Sequence, residues 1–537
     1  MKMTKEALKQ VNVWEEAEFA IPEFDIDKVT KETYENPTWI HMGAGNIFRA
    51  FPAMMQQTLL NKGKANTGII VAEGYDYEII EKINKPHDNL SLFVTLKSNG
   101  TIEKTIVGSV VESLTMDTDH QPDFERLKEI FRKESLQMVS LTITEKGYSL
   151  VDGSGKYLPS VEHDFKAGPA EPVSYIGKLT ALCYERFSNG AAPVALVSMD
   201  NCSHNGTKLY EAVNAFAKTW IEKGLVERGF GEYINDKTKV SFPWSMIDKI
   251  TPRPDESVKE MLLELGFEDV ETIVTTKNTY VAPFVNAEKC QYLVIEDAFP
   301  NGRPALDQTG VIFTERETVD KVEKMKVCTC LNPLHTALAI YGCLLSYTAI
   351  YKEMEDPQLK KLVEKVGYEE GLPVVVNPGI IDPKTFIDEV LQIRVPNPFL
   401  PDTPQRIATD TSQKLSIRFG ETIKAYAESP ELNVQSLTFI PLVLAGWCRY
   451  LMGIDDNGEK FELSADPMLD MVTPYVLDIK LGDSQAFSKQ LNPLLSNTKI
   501  FGVDLYEVGI GEKTEGYFGE LAAGVGAVRN TLVKYLG

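Results

Sequence analysis

A segment beyond the middle of the chain combines the residue types that reduce a carbonyl group without a metal. It reads Lys324-Met-Lys326-Val-Cys-Thr-Cys-Leu-Asn332-Pro-Leu-His335. On a helix, positions three apart share a face, so Asn332 and His335 can point into one cleft, with a lysine about two turns earlier. Reduction of a ketone needs a proton donor and dipoles at the developing alkoxide, which lysine, histidine and asparagine supply. The segment therefore predicts a catalytic site, although a satisfied core histidine is an equal interpretation of His335 by itself.

A glycine pair predicts a dinucleotide-binding turn. The segment from Trp39 places Gly43 and Gly45 between a strand and a helical run, where bare backbone can approach a pyrophosphate. Phe48 stands where the fingerprint has its third glycine, so a plain tight turn is an equal interpretation of the pair. The next strand ends in Glu73, whose carboxylate can accept hydrogen bonds from a ribose diol and repel a 2′-phosphate. This pattern favours NAD over NADP.

Two further strands end in polar segments, 144–148 and 200–206. The carboxyl ends of parallel strands are where open α/β sheets bind ligands. Capped turns are the alternative, because Asn and Asp commonly bond their own backbone there. Asn201 is the candidate functional residue of the second segment.

The alternation of short apolar runs with helical stretches predicts the elements that position these residues. Candidate strands are 39–42, 68–72, 138–143 and 194–199, and from about Lys321 long helical patterns dominate. We therefore predict an α/β fold with a Rossmann-type dinucleotide-binding domain over residues 1–294 and a mainly α-helical substrate-binding domain over 295–537.

Composition excludes several classes of protein. With 537 residues the chain is long enough for more than one domain, and 77 acidic against 55 basic residues give a net charge of -22, which disfavours nucleic acid as a partner. The six histidines have no metal-ligand spacing, so we expect no metal. Seven cysteines, an odd number, and a charged start predict a cytoplasmic protein. The longest uncharged run, 334–351, predicts a buried core helix, so no membrane partner is expected.

Nine segments in a fixed order carry a resemblance to a known family. They are His41–Arg49, Leu141–Tyr148, Ser198–Gly206, Phe242–Pro252, Val294–Pro304, Met325–Ala339, Arg394–Pro398, Thr411–Leu415 and Ala445–Tyr450. In this order they resemble the polyol-specific long-chain dehydrogenases, the mannitol dehydrogenase family. The resemblance implies a metal-free, NAD-dependent oxidoreductase whose active site lies between a Rossmann-type domain and a helical domain. It leaves the oligomeric state open between a monomer and a small homo-oligomer.

The resemblance also implies roles for single residues. Lys326 resembles the general acid of reduction. Asn201 and Asn332 resemble the amides that polarise the carbonyl, and His335 resembles a substrate-orienting partner. Positions resembling substrate contacts are Asp248, Arg394 and Lys414. The expected cofactor contacts are Gly43, Gly45, Phe48, Arg49, Glu73, Thr144 and Asn201.

The chain departs from the family in the spacing of its catalytic residues. The family usually has five residues from the lysine to the asparagine, whereas Lys326 and Asn332 are six apart, so a local bulge, or Lys324 as the acid, must be allowed. Phe48 and Phe51 are two further departures, because members of the family usually have histidines at these positions.

The expected substrate is a small sugar acid or polyol. The closer resemblance is to the hexuronate-reducing members, which predicts reduction of D-fructuronate to D-mannonate. Reduction of tagaturonate and oxidation of mannitol are alternatives, and a nucleotide-binding protein without catalysis is the outside hypothesis.

Overall fold

A computed structural model describes residues 1–400, 402–483 and 490–537. The chain forms two compact units: an N-terminal unit of Met1–Lys97 with Thr101–Asp320, and a C-terminal unit of Ser98–Gly100 with Lys321–Gly537. The sequence placed the division at 294/295, but strand Ile312–Thr314 pairs with strand Tyr292–Glu296 and keeps the intervening segment in the N-terminal unit. The division instead coincides with the change to helical patterns at Lys321.

The described strands all belong to the N-terminal unit. They are β1 (Phe19–Ala20), β2 (Trp39–Met42), β3 (Ile69–Glu73), β4 (Ser91–Leu96), β5 (Ile102–Val107), β6 (Val110–Thr115), β7 (Met138–Leu141), β8 (Val194–Ser198), β9 (Val240–Ser241), β10 (Ser245–Asp248), β11 (Ile273–Val274), β12 (Tyr280–Val281), β13 (Phe284–Glu288), β14 (Tyr292–Glu296) and β15 (Ile312–Thr314). The helices along this part of the chain are α1 (Lys5–Leu8), α2 (Val11–Glu16), α3 (Ile26–Glu35), α4 (Asn46–Ala50), α5 (Pro52–Asn61), α6 (Gln121–Arg132), α7 (Pro159–Ala167), α8 (Tyr175–Ser188), α9 (Asn205–Glu222), α10 (Arg228–Asn235), α11 (Glu256–Glu264) and α12 (Arg316–Met325).

The central sheet has six strands in the order β6-β3-β2-β7-β8-β9, and every pair is parallel. This is the order of a dinucleotide-binding Rossmann sheet, whose direction of winding reverses between β2 and β7. Smaller sheets, β1-β5-β4-β13, β10-β14-β15 and β11-β12, accompany it. The predicted α/β class and Rossmann-type N-terminal domain are confirmed.

The apolar character of the central strands follows from burial on both faces. Every residue of β2 and β3 is buried. Ile40 and Met42 pack into the core that includes Phe124 of α6, whereas Trp39 packs into the core that includes Phe48 of α4. A strand covered on both faces needs apolar side chains at successive positions, and this explains the short continuous runs in the sequence.

The C-terminal unit is helical, as predicted. Its helices are α13 (Asn332–Leu344), α14 (Ile350–Glu353), α15 (Pro357–Glu364), α16 (Pro383–Glu389), α17 (Pro404–Ile407), α18 (Thr411–Leu415), α19 (Glu421–Glu428), α20 (Phe439–Tyr450), α21 (Leu469–Val472), α22 (Asn492–Leu495), α23 (Thr498–Phe501), α24 (Gly511–Leu521) and α25 (Ala527–Leu536).

Several helices of the C-terminal unit are interrupted by π-helical turns. The described ones are Lys326–Cys330, Lys365–Gly371, Val390–Arg394 and Ser416–Gly420. A π-helical turn accommodates an extra residue and is frequent at functional sites. Two of the turns carry predicted site residues, Lys326 and Arg394.

Among the described residues, the helical stretch Arg316–Leu344 is long and apolar enough to cross a membrane by length and composition. Its most apolar window is 78% buried inside the protein. Helix α13, which forms the end of this stretch, packs against α17 and α20. The stretch is therefore a core helix, which agrees with the prediction for the uncharged run.

Candidate active site

The two glycines of the predicted dinucleotide turn have different structural roles. Gly43 has φ of +110°, and a Cβ at this position would lie 2.4 Å from the carbonyl oxygen of Thr142. Gly43 therefore lets β2 pass close to the end of β7 in a conformation that favours glycine. A Cβ on Gly45 would meet no atom within 4 Å. Gly45 thus presents bare backbone to open space at the start of α4, which is what the approach of a pyrophosphate requires.

Glu73 lies at the end of β3 with its carboxylate turned toward the glycine turn. It accepts hydrogen bonds from the backbone N–H groups of Ala44 at 2.7 Å, Tyr75 at 2.8 Å and Asp76 at 3.1 Å. Burial raises the pKa of Glu73, and these three hydrogen bonds oppose that rise. A carboxylate has about four acceptor sites, so one remains for the predicted ribose contact. In this structure Glu73 holds the shape of the turn.

The side chains of Phe48 and Arg49 lie in the core beneath the turn. Phe48 is fully buried and stacks on His41 with ring centroids 4.3 Å apart. Arg49 donates hydrogen bonds to the carbonyl oxygen of Ala282 at 2.7 Å and to Oδ1 of Asn46 at 2.8 Å. Burial lowers the pKa of Arg49 to about 10. This arrangement leaves the backbone of both residues, rather than their side chains, for the predicted cofactor contacts.

His41 joins the two strands at which the winding of the sheet reverses. Its ring nitrogens lie 2.6 Å from Oγ of Ser140 and 2.9 Å from Oγ1 of Thr142, so it bridges β2 and β7. Burial lowers the pKa of His41 to about 3, which keeps the ring neutral at physiological pH. The sequence analysis did not select His41 as a site residue. The available signal was a polar residue inside an otherwise apolar buried strand, since such a residue needs partners.

This histidine predicts a loss of stability in acid. The unfolded chain protonates a histidine near pH 6.5, whereas folded His41 stays neutral down to about pH 3. The unfolded state therefore binds more protons below pH 6.5, and we expect His41 to lower the free energy of unfolding by about 2 kcal/mol at pH 5 relative to pH 7.5. Urea unfolding at both pH values tests this.

A His41→Gln variant is the comparison for that measurement. It should be less stable at pH 7.5 but lose about 2 kcal/mol less than the wild type on going to pH 5. A His120→Gln variant at an exposed position controls for removing any histidine. An unchanged pH dependence in His41→Gln would contradict the assignment.

The loop after β7 is held in a strained conformation by the end of β8. Thr144 has φ of 63° and ψ of 161°, a region in which a residue other than glycine is strained. Asp200 accepts hydrogen bonds from the N–H groups of Ile143 at 2.9 Å and Thr144 at 2.8 Å. It also accepts one from the hydroxyl of Tyr148 at 2.5 Å. Asp200, which sequence reasoning did not select, therefore fixes the predicted cofactor residue Thr144.

Two other predicted residues of the N-terminal unit are Asn201, which follows β8, and Asp248, which ends β10. Asn201 is exposed in the loop that leads into α9. The buried asparagine is Asn205, which donates to the carbonyl oxygens of Asp200 and Ser245, each at 3.0 Å. Asp248 is only 6% exposed at the end of β10. Asn205 was missed as a positioning residue, although an Asn-Gly pair opening a helix was visible in the sequence.

The C-terminal unit brings Lys326, Asn332 and His335 onto successive turns. Lys326 is 3% exposed and begins the π-helical turn, whereas Lys324 is exposed on α12. The turn accommodates one extra residue, which accounts for the spacing of six between Lys326 and Asn332. Asn332 opens α13, and half-buried His335 follows within the next turn. The local bulge allowed for in the sequence is present.

Four positive side chains, Arg394, Arg406, Lys414 and Arg418, form what we call the cation cluster. Burial lowers the pKa of His335 to about 4. The negative charge of Asp402 opposes this shift, whereas the charges of Arg394, Arg418 and Arg406 add to it. Lys414 donates a hydrogen bond to the carbonyl oxygen of Thr409, and its pKa is lowered first by burial and then by Arg418.

The cluster contains both predicted and unpredicted residues. Arg394 and Lys414 were predicted as substrate contacts, and Arg394 is only 2% exposed. Arg406 and Arg418 were missed. The signal for Arg418 was its position four residues after Lys414, one helical turn away.

A parallel Rossmann sheet with a bare glycine turn, followed by a helical unit, is the fold of a Rossmann-type oxidoreductase with a second, helical domain. Residues 37–308 match the mannitol dehydrogenase Rossmann domain, and residues 318–511 match the mannitol dehydrogenase C-terminal domain. The chain belongs to the mannitol dehydrogenase family.

Named relatives support the family assignment along the whole chain. A D-mannonate oxidoreductase of Thermotoga maritima is 56% identical over 539 aligned residues, covering 100% of this chain and 99% of that protein. A D-mannonate oxidoreductase of Escherichia coli is 29% identical and covers 80% of this chain and 83% of that protein. The structure of Pseudomonas fluorescens mannitol 2-dehydrogenase in complex with NAD and D-mannitol is similar with a TM-score of 0.69, 26% identity, and coverage of 100% and 99% of the two chains.

Proposed function

We propose that this protein reduces the keto group of a hexuronate with NADH, converting D-fructuronate, NADH and a proton to D-mannonate and NAD. The observation that carries the proposal is the cation cluster around His335 in the unit that also holds Lys326 and Asn332. A protein with a net charge of -22 needs a local positive site to accept an anionic substrate. The 56% identity to a D-mannonate oxidoreductase supports the same reaction.

The residues present fit NAD as the cofactor. Gly45 leaves open space at the turn, and Glu73 places a buried carboxylate next to it, where a 2′-phosphate would be repelled. The loop fixed by Asp200 presents exposed Thr144 at the same edge of the sheet. When bound, NADH supplies the hydride that the carbonyl carbon receives.

The chain's own residues supply the proton and the polar contacts. We assign Lys326 as the acid whose ammonium group gives a proton to the carbonyl oxygen as the alkoxide develops. Asn332 and Asn201 donate amide hydrogen bonds that polarise the carbonyl group. His335, kept neutral by burial and by the cation cluster, orients a substrate hydroxyl. Arg394, Lys414 and Asp248 are assigned to the substrate's polar groups.

Turnover with three ketose-type substrates tests the proposed function. Oxidation of NADH and of NADPH is followed by absorbance with D-fructuronate, D-tagaturonate and D-fructose in parallel. We expect NADH with D-fructuronate to give the highest kcat/KM. Preference for D-tagaturonate would make the protein a reductase of the other uronate, and preference for D-fructose would assign it to mannitol metabolism. NADH binding without turnover would support a non-catalytic nucleotide-binding protein.

A further inference from the structure

Arg418 reaches the first turn of the helix that carries the predicted catalytic residues. It lies on the π-helical turn Ser416–Gly420, and its Nη1 donates a hydrogen bond to Oγ1 of Thr336 at 2.5 Å. Thr336 in turn donates to the carbonyl oxygen of Asn332 at 2.9 Å. Two hydrogen bonds therefore connect the guanidinium group of Arg418 to Asn332, and its partner Thr336 directly follows His335 in the sequence.

Most of the hydrogen-bonding capacity of Arg418 is unused. A guanidinium group has five N–H donors, and within the described residues only the bond to Thr336 is made. Other arginines of this unit differ: Arg449 donates to three backbone carbonyls, and Arg529 pairs with Asp356 at 2.6 Å. A half-buried guanidinium group without an ion pair is costly unless an anion completes it.

The surroundings of Arg418 favour an anion. Its positive charge acts on Lys414 and on His335, together with the charge of Arg406. Two of the acidic neighbours already have partners. Asp402 pairs with Arg406, a member of the cation cluster, and Asp466 accepts hydrogen bonds from N of Ser412 at 2.8 Å and from its Oγ at 2.5 Å. Asp410 is the remaining carboxylate that acts on Lys414. In the described part of the chain, none of these three carboxylates is paired with Arg418.

We propose that Arg418 is a specificity-determining residue that binds the carboxylate of a sugar acid through the N–H groups not used by Thr336. A guanidinium fork matches a carboxylate in geometry and forms charge-assisted hydrogen bonds. The inference rests on the proposed function and extends it, because it names the residue that separates sugar acids from neutral polyols.

A purely structural role makes a different prediction. If Arg418 only braces α13 through Thr336, removal of either partner of that hydrogen bond should have the same effect. A Thr336→Val variant removes the bond and keeps the shape of the side chain, while the guanidinium group remains. Comparison of Arg418→Gln with Thr336→Val therefore separates carboxylate binding from bracing.

The experiment measures KM for D-fructuronate in steady-state assays and the dissociation constant of D-mannonate by calorimetry. The calorimetry uses protein saturated with NADH, because NADH and D-mannonate form a complex that cannot react. We expect Arg418→Gln to weaken both by about 10- to 100-fold, the effect of a lost charge-assisted hydrogen bond. Thr336→Val should change them by less than about threefold, well below that loss. Lys424→Gln, an exposed charge on α19, is the control for net charge and should leave both unchanged. Equal weakening in Arg418→Gln and Thr336→Val, or none in Arg418→Gln, would overturn the proposal.

Calorimetry also keeps this proposal distinct from the proposed reaction. If the wild-type protein does not reduce D-fructuronate but binds D-mannonate, and Arg418→Gln loses that binding, the reaction is wrong and the role of Arg418 stands. If the wild-type protein turns over D-fructuronate and Arg418→Gln is unaffected, the reaction stands and the role of Arg418 is wrong. Failure of the wild type to bind D-mannonate would overturn the role of Arg418.

Discussion

A Lys326→Met variant is expected to fold and to bind NADH with wild-type affinity, but to turn over about 100- to 10,000-fold more slowly. The reason is that the variant keeps the length and apolar stem of the buried side chain and loses only the proton donor. Single-turnover and steady-state rates with D-fructuronate measure the loss. NADH fluorescence measures the affinity, and a circular dichroism spectrum verifies the fold.

Lys324→Met is the matched control for this experiment. Lys324 is exposed on α12, two residues before the π-helical turn that begins with Lys326. Its replacement should change kcat by less than about threefold, since no proton transfer is lost. A large loss in Lys324→Met with near-normal turnover in Lys326→Met would move the acid to Lys324 and contradict the assignment made here.

A Gly45→Val variant is expected to retain its stability and to lose NADH affinity by at least about tenfold. A Cβ at this position meets no atom within 4 Å, so the fold has room for that atom, and the rest of the side chain extends into the space into which a pyrophosphate must come. Equilibrium titration with NADH and urea unfolding separate the two effects.

Gly43→Ala is the comparison variant, in which we expect the main loss to be in stability and not in NADH affinity. Its φ of +110° and the approach of Cβ to within 2.4 Å of Thr142 predict a loss of about 2–5 kcal/mol of stability. If Gly45→Val bound NADH as tightly as the wild type, the glycine turn would not be the cofactor site. If Gly43→Ala were as stable as the wild type, the structural role of Gly43 would be wrong.

Much of the fold was predictable because local pattern and burial agree. The strands predicted at 39–42 and 194–199 are β2 and β8 to within a residue, since short apolar runs bounded by polar residues suit a sheet covered on both faces. The change of pattern at Lys321 likewise marks the division between the units. The compact units divide after Asp320 and not at the predicted 294/295, because pairing of β15 with β14 keeps residues 312–314 in the N-terminal unit.

The class of fold, the glycine turn and the family could be predicted from the sequence, and the lysine, asparagine and histidine set remains a prediction of the site. These features are local in sequence, and their spacing along a strand or helix follows from backbone geometry alone. Tertiary contacts, in contrast, are needed to see that Glu73 turns toward the backbone of the glycine turn and that His41 bridges β2 and β7. They also show that Arg418 reaches α13, and the structure shows that the bulge allowed for after Lys326 is a π-helical turn. The hydrogen bonds of Glu73, His41 and Arg418 depend on which partner each polar group finds, and that partner lies far away in the sequence.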